Sequence, residues 1–172
     1  YQDGENGAIY NKAKNVLLYY PANLTQESYT VLPTTVTISE RAFYENKYLK
    51  KIKLPEGLVK IGDYAFGVST DARSTAITGI EIPSTVEEIG ERAFFGAAEL
   101  KTLTFLKDAN GNCALKRIGN SAFRHCSSLE EVELPFGLEI LGENAGWGDD
   151  DVDANASVFY DCASLKKVTL PG

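Results

Sequence analysis

The chain has 172 residues, 44% of them apolar, which suits one domain of ordinary size with a buried core of its own. A net charge of −7, with lysines and arginines scattered or set beside acids, argues against nucleic acid as a partner, because that binding needs a stripe of cations on phosphates. No apolar run approaches the roughly 18 residues of a membrane helix, and three cysteines are too few for a disulfide framework.

The sequence opens at Tyr1 and contains no methionine, so it reads as less than a complete translation product. The lack of a leader ahead of Tyr1 therefore decides nothing. Residues 1–30 hold two β-rich runs, Ala8-Ile9-Tyr10 and Val16-Leu17-Leu18-Tyr19-Tyr20, on either side of Asn11-Lys12-Ala13-Lys14-Asn15. Such an arrangement predicts a β-hairpin with a polar turn, and Pro21, which lacks an N–H, ends its second strand. Asn23-Leu24-Thr25 has the form of a glycosylation sequon. The segment is expected to cap whatever follows.

From residue 31 to residue 172 the chain repeats itself. Phe43, Phe66, Phe94, Phe123 and Phe159 each follow a small residue, alanine in four cases and Val158 in the fifth. Five positions before the first four stand Ile38, Ile61, Ile89 and Ile118, and the string Ile-Gly-x-x-Ala-Phe recurs at 61–66, 89–94 and 118–123. Downstream, Leu49, Ile52 and Leu54 are matched by Leu100, Leu103 and Phe105, by Leu129, Val132 and Leu134, and by Leu165, Val168 and Leu170. Proline ends this second string at Pro55, Pro83, Pro135 and Pro171. The shortest spacing, Phe43 to Phe66, is 23 residues, a leucine-rich-repeat period, and about five such units form one continuous domain.

Each place in the unit has a physical reading. Ile52 and Leu54 share one face of a strand by two-residue alternation, and the proline after them ends the ladder at a corner. Leu58 and Ile61, with Val86 and Ile89 or Leu115 and Ile118 as counterparts, sit on a second short extended piece. Gly62, Gly90, Gly119 and Gly142 mark a backbone position needing either positive φ or a close approach. Ala-Phe is too short for a stable helix and is expected to begin a helical or 3-10 turn whose phenylalanine fills the interior. No unit buries these residues alone, so stability must come from stacking on neighbours.

Three insertions lengthen the spacing, to 28, 29 and 36 residues. They fall between Phe66 and Ile77, at Lys107–Asn112, and after Gly142. The last contains Trp147 and Asp151-x-Asp153-x-Asn155, which copies the first half of a calcium loop. Ala156 stands where the sharp turn needs glycine, and Cys162 where the closing glutamate belongs, so a solvated acidic loop is the expected reading.

Over residues 31–171 the repeated Ile-Gly-x-x-Ala-Phe, together with Phe-x-x-Cys-x-x-Leu at 123–129 and 159–165, resembles the BspA-type leucine-rich repeats. Gly7-Ala8-Ile9-Tyr10-Asn11-Lys12 and Leu18-Tyr19-Tyr20-Pro21 are similar to a hairpin module that sits between such repeats. The resemblance implies a secreted or surface-attached protein of gut or oral anaerobic bacteria, associated with adhesion to host proteins and other microbes. It carries no catalytic residues. The fold class expected is an α/β-type leucine-rich repeat right-handed solenoid, β-dominated, with short helical or 3-10 turns and an N-terminal β-hairpin.

Catalytic and metal constellations are lacking in the sequence. Cys126 and Cys162 occupy a place held elsewhere by Asn46, Ser69 and Ala97, so they read as small core residues. His125, the single histidine, adjoins Cys126 but should face outward while the cysteine faces inward. No cofactor is implied. What remains is the outward face of the strands, expected as one contiguous patch, where Lys51, Lys53, Glu81, Thr102, Thr104, Glu131, Glu133, Lys167 and Thr169 are the candidate binding residues. The expected function is a non-catalytic extracellular module binding a protein or glycoprotein, the alternative being a spacer that presents another domain.

Overall fold

The computed structural model describes residues 2–3, 7–70, 74–142 and 157–170. Trp147 and the acidic string 149–155 lie outside the described residues, so the calcium reading has no structural counterpart here.

Short strands alternate between two stacks. Strands β1 (Gln2–Asp3), β2 (Ile9–Tyr10) and β3 (Val16–Tyr19) open the first stack. It continues through β5 (Thr37–Ile38), β7 (Lys60–Ile61), β9 (Glu88–Ile89), β11 (Arg117–Ile118) and β13 (Ile140–Leu141), in the order β1-β2-β3-β5-β7-β9-β11-β13. The second stack comprises β4 (Ser28–Thr30), β6 (Lys51–Lys53), β8 (Gly79–Ile82) and β10 (Thr102–Phe105), with β12 (Glu131–Glu133) and β14 (Lys167–Thr169) forming a separate pair. From β3 onward every pairing is parallel and in register, Ile38 on Ile61 on Ile89 on Ile118. Each repeat is thus one coil laid on the last.

The N-terminal hairpin is present as expected. β2 and β3 pair antiparallel, and Asn11 organises the turn by accepting the Asn15 and Val16 N–H groups on its side-chain oxygen at 3.0 and 3.1 Å. The same segment then supplies β3 and β4 to both stacks.

The third side of each coil departs from expectation. The Ala-Phe segments form no α or 3-10 helix among the described residues; each is a run of hydrogen-bonded turns. N–H groups along the run alternate in target. Ala42, Tyr44 and Asn46 donate three residues back within their own coil, to Ser39, Arg41 and Phe43. Arg41, Phe43 and Glu45 donate instead to the carbonyls of Asp63, Ala65 and Gly67 on the next coil, at 2.7–2.9 Å. A helix directs every N–H along its own axis and leaves none for a neighbour. Alternation requires left-handed residues, and Arg41, Glu45, Tyr64, Arg92, Ser121, His125 and Asp161 all have φ of 50–61°. Each costs about 1 kcal/mol of conformational energy, offset by a backbone that leaves few donors unmet. The α component of the expected class is therefore replaced by turns.

Glycine in the repeat answers the other half of its question. Gly62, Gly90 and Gly119 are not left-handed; their Cα atoms lie against the previous coil's backbone. A Cβ on Gly119 would stand 2.6 Å from the Glu91 nitrogen and 2.7 Å from the Gly90 carbonyl carbon. Gly142 is the exception, with φ of 70°.

The core is a column of rings. Phe43, Phe66, Phe94 and Phe123 are buried and stack at centroid spacings of 4.8, 4.9 and 5.1 Å with planes within 13° of parallel, and Phe159 extends the column at 5.7 Å. Tyr20 stacks on Phe43 at 5.1 Å and continues the column into the hairpin segment, its hydroxyl donating to Gln26 at 2.9 Å. Offset stacks of this kind add about 0.5–1.5 kcal/mol to the burial of each ring.

Two substitutions test this architecture. Phe94→Ala is expected to lower the unfolding free energy by about 3–5 kcal/mol, read from the urea midpoint, because it removes a middle ring and leaves a cavity. Gly119→Ala, one methyl on the surface of the coil interface, should cost about 1–3 kcal/mol by forcing two backbones apart. An unchanged midpoint in either variant contradicts the assigned register.

Candidate binding face

Strands β4, β6, β8 and β10 bury alternate residues, Tyr29, Ile52, Ile80, Ile82, Leu103 and Phe105 among them, and turn the intervening ones outward. Parallel register sorts the outward residues into two rows across the stack. Ser28, Lys51, Gly79 and Thr102 stand side by side in the first, Thr30 with Lys53 and Glu81 with Thr104 in the second. All nine residues anticipated from the sequence are exposed. Five of them, Lys51, Lys53, Glu81, Thr102 and Thr104, line one groove of about 580 Å³ together with Gly79, Pro55 and Leu106. Gly79 creates the depression, since a Cβ there would fall 2.4 Å from the Thr102 hydroxyl oxygen.

The face is less uniform than a single sheet would make it. The backbone ladder stops at β10, and Glu131, Glu133, Lys167 and Thr169 belong to the separate β12–β14 pair, where Glu131 lies beside Lys167 and Glu133 beside Thr169. Side chains bridge the gap. Lys107 Nζ lies 3.3 Å from Glu133 Oε1, and both line a second groove of about 340 Å³ that shares Thr104 with the first.

Opposite charges pair from coil to coil where the strands begin. Lys50 meets Glu27 at 2.5 Å and Lys166 meets Glu130 at 2.9 Å. The Lys166 ammonium holds the Glu130 carboxyl below its ordinary range, and the carboxylate raises Lys166 in return. Both groups are exposed, so the pair orients side chains more than it stabilises the fold.

The cysteines and the histidine divide as the alternation implies. Cys126 is fully buried and donates to the Phe94 carbonyl at 3.5 Å, and Cys162 donates to the Phe123 carbonyl at 3.1 Å. Burial pushes the Cys126 thiol well up. All three cysteines are free. His125 lies on the outside with both ring nitrogens engaged, Nδ1 with Asp161 at 2.8 Å and Nε2 accepting from Arg124 Nε at 3.1 Å. Inward thiol and outward imidazole do not meet, and a nucleophilic pair needs them within hydrogen-bond reach. Among the described residues no group of three or more His, Cys, Asp or Glu is placed to hold a metal ion.

One feature of the turn side was not anticipated from the sequence. Arg41 lies over Tyr44 and Tyr64, Arg92 over Tyr64 and Phe95, and Arg124 over Phe95 and Tyr160, with guanidinium-to-ring distances of 5.0–5.9 Å. Cation and ring alternate along the array outside the phenylalanine column. The signal lies in the aligned repeats, two places before the phenylalanine (Arg41, Tyr64, Arg92) and one after it (Tyr44, Phe95, Arg124, Tyr160).

Against known proteins, the chain matches the BspA type leucine-rich repeat region in six copies over residues 18–145. A leucine-rich repeat protein from Eubacterium ventriosum shares 30% identity, with a TM-score of 0.70 over 97% of this chain and 39% of that one. The pneumococcal vaccine antigen PcpA shares 26% identity, with a TM-score of 0.62 over 99% of this chain and 34% of that one. The chain therefore spans well under half the length of either. No curated protein matches it in sequence. The repeated motif, the stacked coils that it builds and the span of the match agree, and the chain belongs to the BspA-type leucine-rich repeat family.

Proposed function

We propose that this chain is a non-catalytic extracellular module that binds a protein or glycoprotein through the outward face of its strands. The observation that carries the reading is the groove over β6, β8 and β10, where five of the nine anticipated residues converge on a backbone held by parallel ladders. Such a surface loses little conformational freedom on binding. That PcpA is a vaccine antigen supports a secreted or surface-attached location, and the coils are taken to wind right-handed, as parallel crossovers nearly always do. Residues 1–30 are assigned as a cap and residues 31–172 as one continuous repeat domain. The net charge of −7 disfavours nucleic acid, and among the described residues no helix is long and apolar enough to cross a membrane.

A second reading, a spacer presenting another domain of a longer surface protein, is favoured by the 39% and 34% of the two solved chains that this chain spans. Capture experiments separate the two. Host matrix and mucosal glycoproteins are to be captured by the chain and by the Glu131→Lys/Glu133→Lys variant. Reversal is expected to leave the circular dichroism spectrum intact and to weaken capture, most clearly at low salt, where the Debye length is longest. Capture that survives reversal but is lost on deleting residues 146–156 assigns the site to the acidic insertion instead. No capture by the wild-type chain favours the spacer.

The electrostatics of the face have their own test. Glu130 is expected to titrate below an ordinary glutamate by carbon-detected NMR and to return upward in Lys166→Met. Its contribution to folding is present above the unfolded-state pKa and is lost as pH falls through the lowered value. A Glu130 titration unaffected by Lys166→Met contradicts the pairing.

A further inference from the structure

Where the strands run into the corner of their coils, the surface opens a further groove of about 380 Å³, which shares no residue with the one over β8. Its most unusual wall is Phe136. The residue after the corner proline is Thr34, Glu56 and Ser84 in other coils, as suits an outward position, but here it is a phenylalanine left 77% exposed. An exposed ring alone asks for no explanation. This one shares its groove with Gly111 and Asn112 of the insertion at residues 107–112. The inserted loop is built, not slack. The Asp108 carboxylate accepts the N–H groups of Asn110 and Asn112 at 2.9 and 2.8 Å, and the Asp108 N–H donates to the Asn112 carbonyl at 2.8 Å. Gly111 completes the turn with φ of 83°.

The charges along the groove cancel. Lys107 pairs with Glu133 at 3.3 Å, and Lys116 pairs with Glu139 at 3.1 Å. No cation of the lining is left to recruit a phosphate, a sulfate or a carboxylate. What the groove offers is one open apolar face surrounded by polar groups of both kinds: the Asn112 amide, the Glu133 carboxylate and the Lys116 ammonium.

We propose that this corner groove is a carbohydrate site, taking one neutral pyranose ring of a glycan with its C–H face on Phe136. A pyranose is the complementary object. The hydrogens on one face of the ring meet the negative face of the aromatic ring, and each hydroxyl on its edge both donates and accepts. The surrounding ion pairs are exposed and weak, so hydroxyls can share their oxygens and ammonium groups at little cost. The volume lies at the small end of ligand clefts, which span roughly 300–1,000 Å³. An apolar peptide side chain is the rival occupant, and the lining disfavours it. Such an anchor wants a pocket that is apolar on several sides, whereas Leu134 and Pro135 are buried and the side away from Phe136 is amide, glycine and lysine. The site lies off the outward face of β6, β8 and β10 and stands without it.

The test uses the full chain and saturation-transfer-difference NMR with three probes. Methyl β-glucoside is the neutral sugar, methyl β-glucuronide is the same ring with a carboxylate, and N-acetylphenylalaninamide stands for an apolar side chain. The glucoside is expected to bind with a Kd on the order of 1 mM, with the strongest saturation at the hydrogens of one ring face. Phe136→Ala should weaken it at least about tenfold, and Phe136→Tyr, which keeps a ring, should restore it. Deleting residues 107–112 returns Phe94 and Phe123 to the 23-residue spacing of the plain repeat, so the coil is expected to fold by circular dichroism and lose the sugar. The point variants decide alone if that deletion unfolds. Lys51→Glu/Lys53→Glu, on the strand face, should leave the transfer unchanged. No transfer to the glucoside, binding that survives Phe136→Ala, or loss in the strand-face variant overturns the proposal. Tighter binding of the glucuronide or of N-acetylphenylalaninamide overturns the ligand class. The capture experiment with Glu131→Lys/Glu133→Lys is read separately, because a wild-type chain that captures glycoprotein without binding the glucoside keeps the strand face and loses only the corner site.

Discussion

Everything in this structure is subordinate to the pitch at which one coil lies on the next. Parallel strands fix that pitch at about 4.8 Å through their hydrogen bonds. Phenylalanine rings stacked at 4.8–5.1 Å match it, so the column and the ladders pull to the same distance. A ring stack at that spacing is close-packed without any side chain leaving its own coil. The two interactions share one period, which lets a unit of only 23 residues build a continuous core.

Holding the pitch on the third side is harder, because no strand runs there. Glycine at 62, 90 and 119 removes the Cβ atoms that would wedge the coils apart, and the alternating turns then send every second N–H across to the next coil. Left-handed residues carry the strain of this arrangement. That Tyr64, Arg92 and Ser121 tolerate it, although none is glycine, follows from how completely their surroundings fix them. Guanidinium groups lying over the rings of neighbouring turns cover the same side from outside.

How far the sequence discloses this depends on which physical quantity each residue reports. Burial is legible: Ile61, Phe66, Leu54 and their counterparts are apolar because they are inside, and alignment of the chain on itself exposes them. Close approach is half legible, since a recurring glycine marks the place without saying whether φ or contact is the reason. Backbone handedness is not legible, because Tyr64, Arg92 and His125 are not residues that composition associates with φ near +55°, and a helical turn is what their sequence suggests. Tyr20 escapes the ring column for a related reason, a tyrosine standing outside the repeated motif yet placed over Phe43 by the hairpin. For the face, alternation alone identifies which residues point outward. The groove among them depends on one missing side chain at Gly79, and a lone glycine in a strand is as readily the mark of a bulge or a bend.

The division of labour within each coil bears on what such an array can do. Of the residues in a strand such as Lys51–Lys53, only Ile52 is committed to the core. Its outward neighbours contact solvent, and exchanging them costs the fold little beyond the exposed ion pairs, each of which contributes about 0–1 kcal/mol. The same geometry holds them at fixed spacing, one step of about 4.8 Å from strand to strand and about 6.6 Å from one outward residue to the next. Outward residues can therefore change identity without changing position, and position is what recognition of a regularly spaced partner demands. The residues free to vary in this molecule are thus the one set that the pitch does not constrain.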